Sequence, residues 1–133
     1  MAALVDTSAL YAVLDAEDPQ HDRAVVALTE LLGEEARLVT HSFVVVEAVS
    51  LVQARLGLDA VAALRDELLP VAEVVWIGEE VYERAFNTLL GSRRRAVSLV
   101  DWVSFETMRR LGLRQAFAFD GHFAEQGFEL IPA

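Results

Sequence analysis

The chain has 133 residues, 54% of them hydrophobic, and no apolar run approaching the roughly 18 residues that cross a bilayer, so a single domain over residues 1–133, without a membrane span and working in the cytoplasm, is expected. It has no cysteine, which excludes disulfides, thiolate metal sites and cysteine catalysis, and its eleven basic residues are all arginine, which excludes chemistry that needs a lysine. A net charge of -10 argues against coating nucleic acid by phosphate neutralisation, but leaves room for a nuclease whose metal ions and local arginines hold the phosphate.

In chain order, Ala3-Leu4-Val5 is an apolar strand ending abruptly on Asp6, and Ser8 to Asp15 reads as a short helix. Asp18-Pro19 is a helix-start signal, Asp as cap and Pro at the first helical position, with Gly33 the stop. Ala36 to Thr40 is a second strand. Ser42 opens a helix to Gly57, resting on Ala48, Leu51, Val52 and Leu56 at helical spacing. Asp59 caps a further helix closed by Pro70, and Glu73 to Ile77 is the third strand. A helix over Glu79–Leu90 leads to the basic loop Ser92-Arg93-Arg94-Arg95. Ser98 starts a helix that stops at Gly112, Gln115 to Phe119 is the fourth strand and Phe128 to Ile131 the fifth. Strands and helices alternate throughout, which implies a parallel sheet between two helical layers.

Four carboxylates stand out. Asp6 and Asp120 each end an apolar strand, the place where open α/β sheets put their ligands. Each also has an ordinary reading: Asp6 as a helix cap, unless Ser8 caps instead, and Asp120 as a turn residue before Gly121. Glu47 has Phe43, Val44, Ser50 and Leu51 one turn away and no basic residue near, so it lies on an apolar face or on a solvated, frayed one. Asp101 follows Ser98 by three, a capping-box spacing that also projects a carboxylate from a helix start. If the four converge, their oxygens suit one or two Mg²⁺ or Mn²⁺ ions clamping a phosphodiester.

Other groupings carry less. His21, His41 and His122 lack metal-ligand spacing and read as surface or turn residues, and Ser8, Ser98 and Ser104 have no obvious histidine partner, which argues against a serine hydrolase. Arg93, Arg94 and Arg95 make either a phosphate-contacting loop or a solvated one, and Arg109, Arg110 and Arg114 suit a helix C-terminus. Trp76 and Trp102 read as core or interface. A haloacid-dehalogenase-like phosphatase would need an acid where Ser8 stands, and a lysine.

Asp6-Thr7-Ser8, Val46-Glu47-Ala48, Ser98-Leu99-Val100-Asp101 and Phe119-Asp120-Gly121-His122-Phe123 occur in an order and spacing that resembles the PIN-domain ribonucleases, specifically VapC-type toxins. The resemblance spans the chain and implies a three-layer α/β/α sandwich with parallel strand order 3-2-1-4-5. It implies Asp6, Glu47, Asp101 and Asp120 as a catalytic, metal-holding quartet with Ser8 as polar support. It also implies an Mg²⁺- or Mn²⁺-dependent endoribonuclease leaving 5′-phosphate and 3′-hydroxyl ends, a homodimer restrained by a VapB-like antitoxin. Two positions depart from the pattern: Ala118, where a hydroxyl residue is common, and Trp102 beside Asp101. A PIN-like module that binds RNA or a partner without turnover is the alternative.

Overall fold

The computed structural model describes all 133 residues, Met1–Ala133. Strand β1 (Ala2–Val5) sends Ala3 and Val5 into one core and Leu4 into another, so both of its faces are buried. That is why it reads as a continuous apolar run rather than an alternating one. Strands β2 (Arg37–His41) and β4 (Gln115–Phe117) flank it in parallel, with Leu4 opposite Val39 on one side and Ala116 on the other. With β3 (Glu73–Val75) and β5 (Glu129–Ile131) the sheet runs β3-β2-β1-β4-β5, every pair parallel. The order implied by the family resemblance is the observed one, and it sets β1 and β4 side by side.

Helices α1 (Thr7–Leu14), α2 (His21–Gly33) and α3 (Ser42–Leu56) close one face around Leu10, Ala27, Leu31, Val44 and Val52. On the other face α5 (Glu79–Ser92) and α6 (Leu99–Leu111) pack Ala85, Val103, Phe105 and Met108. The α/β/α layering follows from strands that are apolar on both sides. No helix is long and apolar enough to cross a membrane.

Several boundaries differ from the sequence expectation. Helix α1 begins at Thr7 because Asp6, not Ser8, is its cap. Helix α2 begins only at His21: the Asp18 carboxylate accepts the Gln20 N–H at 2.8 Å, so Asp18-Pro19 forms a turn ahead of the helix. Gly57, at φ 90°, turns the chain straight from α3 into α4 (Leu58–Ala63), which leaves Asp59 in the first turn rather than at the cap. That helix widens into a π stretch at Leu64–Leu68, and Pro70 lies inside a closing 3₁₀ turn, Leu69–Val71. Strand β4 stops at Phe117, and a short helix α7 (His122–Glu125) lies between β4 and β5.

Candidate active site

The site is built where β1 and β4 end. The Asp6 N–H donates to the Phe117 carbonyl at 3.0 Å, continuing the ladder one residue past β1. Asp6 then leaves the strand in extended geometry and caps α1: its Oδ2 accepts the Ser8 N–H at 3.1 Å and the Ser8 hydroxyl at 2.6 Å. The Ser8 Oγ in turn accepts the Phe119 N–H at 2.9 Å, which ties the chain beyond β4 to the cap of α1. Asp6 is 4% exposed, yet its Oδ1 receives no protein donor and is not among the sealed, unpartnered polar atoms. One oxygen is spent on structure and the other is open.

Asp101 repeats the arrangement. Its Oδ2 accepts the Ser98 N–H at 3.0 Å while the Ser98 Oγ accepts the Asp101 N–H at 3.1 Å, a complete capping box at the start of α6. Its Oδ1 is likewise without a protein donor. Asp120 accepts the His122 N–H on Oδ1 at 2.9 Å, with the His122 imidazole 3.9 Å away. Glu47, half-buried in the second turn of α3, makes no hydrogen bond or ion pair. The ordinary readings of Asp6, Asp101 and Asp120 therefore hold as well: each is a cap or turn residue, through a single oxygen.

Burial pushes the Asp6 carboxyl up to about 7, against the pull of the Ser8 bonds, and the charges of Asp101 and Asp120 push the same way. Asp101 is raised too, first by burial and then by the charges of Asp120 and Glu47, while its bonds to Ser98 pull it down. All four carboxylates thus lie within electrostatic reach, linked through Asp101. None pairs with an arginine: the arginine ion pairs all go to other acids. Nor do any three of them stand close enough to form a ready-made ligand cage. A hard, all-oxygen donor set, buried at Asp6 and Asp101 and short of positive charge, fits a divalent cation of the Mg²⁺ or Mn²⁺ kind.

The remaining candidates fall outside this cluster or change character. Arg93, Arg94 and Arg95 are exposed on the loop after α5, and Arg94 pairs with Glu125. Ala118, where a hydroxyl residue is common, is enclosed in the core with Leu4 and Phe123. Trp102 is core, but Trp76 is 77% exposed. His41 is the residue the sequence misplaced: it is fully buried at the end of β2 and hydrogen-bonded to Ser104 at 2.8 Å. The one signal for it was its place before an apolar helix start, where Ser, Thr, Asp or Asn is usual.

A family model for the PIN domain matches residues 3–129. The chain is 35% identical over 126 residues to the 23S rRNA-specific endonuclease VapC20 of Mycobacterium tuberculosis, covering 93% of each. The crystal structure of that VapC20, described as a sarcin-ricin loop cleaving toxin, superposes with a TM-score of 0.83 at 31% identity over 96% of each chain. FitAcB from Neisseria gonorrhoeae (TM-score 0.68, 18% identity, 98% of this chain and 96% of that one) shares the fold. So does VapBC2 from Rickettsia felis bound to promoter DNA (0.72, 14%, 98% and 97%).

Proposed function

The chain belongs to the PIN-domain family as a VapC-type endoribonuclease, and from that premise we propose that Asp6, Glu47, Asp101 and Asp120 are its catalytic acids. They would hold one or two Mg²⁺ or Mn²⁺ ions. The cellular setting follows the family: the toxin half of a VapBC-type pair, a cytoplasmic homodimer restrained by a VapB-like antitoxin. Because VapC20 is named for 23S rRNA, that RNA is the first substrate to test.

When bound, the cation supplies an acidified water and positive charge at the scissile phosphate. The protein's part is positional. Ser8 holds Asp6 by Oδ2 and the β4 end by the Phe119 N–H, so the open Oδ1 is fixed relative to both strands. The Ser98 box does the same for Asp101. Arg93, Arg94 and Arg95 offer positive charge to the RNA backbone on an otherwise acidic chain.

The observation that carries this reading is Asp6: buried except for one oxygen, crowded by two further acids, and short of a protein donor on that oxygen. Incubation with 23S rRNA and Mn²⁺ tests it. Asp6→Asn keeps an acceptor for Ser8 and should fold, yet lose at least about 100-fold in cleavage, the upper end of what losing even an outer metal partner costs. Cleavage by Asp6→Asn at the wild-type rate would remove Asp6 from the mechanism. RNA left full length by wild-type protein that binds Mn²⁺ tightly would identify a binding module instead.

A further inference from the structure

The mechanism above makes no use of the buried pair His41 and Ser104. His41 is the cap of α3, its Nδ1 accepting the Val44 N–H at 3.3 Å, and its Nε2 lies 2.8 Å from the Ser104 Oγ on α6. A neutral imidazole has one donor and one acceptor, so a lone pair committed to Val44 leaves the proton on Nε2, donated to Ser104. Burial holds the imidazole down to about 4, which keeps it in this neutral form at neutral pH.

Capping alone does not call for histidine. Asn, Asp, Ser or Thr accept the same N–H from a shorter side chain. What they lack is a second polar atom reaching onward to a neighbouring helix. Ser104 stands three residues after Asp101, on the same face of α6, and the helix that His41 caps carries Glu47 in its second turn. The two helices meet over only a few residues, and both ends of the bridge are completely enclosed. Asp101 also feels the charge of Glu47 across this junction.

We propose that His41 and Ser104 are positioning residues: their hydrogen bond clamps α3 to α6 and fixes the separation of Glu47 and Asp101 at which a divalent cation is held. This rests on reading those two acids as ligands. Mn²⁺ titration followed by electron paramagnetic resonance, with melting curves recorded without metal, tests it.

His41→Asn keeps the acceptor for Val44 but falls short of Ser104, and Ser104→Ala removes the other end of the bridge. Each should weaken Mn²⁺ binding about 5- to 20-fold, with the double variant no weaker than the worse single one. His41→Gln places an amide near Ser104 while giving up the cap. It should melt lower, yet bind Mn²⁺ within about twofold of wild type.

Affinities that simply follow melting temperature across the series would overturn the clamp. So would wild-type Mn²⁺ affinity in Ser104→Ala, the mildest change, which decides alone if a His41 variant does not fold. Asp101→Asn separates the two levels. If it binds Mn²⁺ like wild type, the ligand assignment falls and the clamp with it; if it loses Mn²⁺ while Ser104→Ala does not, the clamp alone falls.

Discussion

Burial acts in opposite senses on Asp6, whose carboxyl it pushes up to about 7, and on His41, whose imidazole it pushes down to about 4. The raised Asp6 contributes stability that is complete below its ordinary value of 3.8 and is lost as pH rises through about 7. The lowered His41 contributes stability that is present above 6.5 and is lost as pH falls through about 4. Each contribution is on the order of 3–4 kcal/mol, so in wild type they nearly offset one another on acidification. Asp6→Asn removes one side of that balance. Without divalent cation it should be more stable than wild type near pH 8, and should lose roughly 3 kcal/mol more than wild type between pH 7 and pH 4, by urea unfolding. Parallel profiles for the two proteins would show that the Asp6 carboxyl titrates as in the unfolded chain. The sequence exposed Asp6 through the contrast between an apolar strand and the acid that ends it. It could not show that capping and an open oxygen coexist in one side chain, because that depends on which oxygen Ser8 occupies. For His41 no such contrast exists: a histidine between a strand and a helix start looks the same whether sealed or exposed.

Elements were legible where their ends are set by local chemistry. Both ends of α6 are, by the Ser98 box and by Gly112 at φ 70°. Ser98→Ala should therefore cost about 1 kcal/mol in urea unfolding, with Ser98→Thr recovering most of it. No loss in Ser98→Ala would mean that packing of Val103, Phe105 and Met108 alone fixes where the helix begins. Where the same local chemistry serves two purposes, the boundary was not legible. The Asp18 carboxylate reaches Gln20 in a turn much as it would in a first helical turn, and only the register of the helix against the core decides between them. Helix α7 is four residues long, too short to show a period, and its burial signal is Phe123 alone.

At the scale of the molecule, strand alternation predicted a parallel sheet, but the order 3-2-1-4-5 came from family resemblance, since no local pattern records which strand a crossover returns to. That order sets the ends of β1 and β4 side by side, with Asp6 and Asp120 in electrostatic reach, and leaves the question of how a chain of net charge -10 retains RNA. Arg93, Arg94 and Arg95 are the concentrated source of positive charge, and Glu125 already partly occupies Arg94. If these three hold the backbone, binding of single-stranded RNA to the Asp6→Asn protein should fall with salt at a slope near -2, about 0.7 per phosphate neutralised. Arg93 caps α5 in left-handed geometry, at φ 56°, which glycine adopts without strain. Arg93→Gly should therefore stabilise the fold by up to about 1 kcal/mol while moving the salt slope about 0.7 toward zero. Opposite signs for stability and binding distinguish a lost phosphate contact from a damaged fold. A slope unchanged by the substitution would place the RNA backbone on another part of the surface.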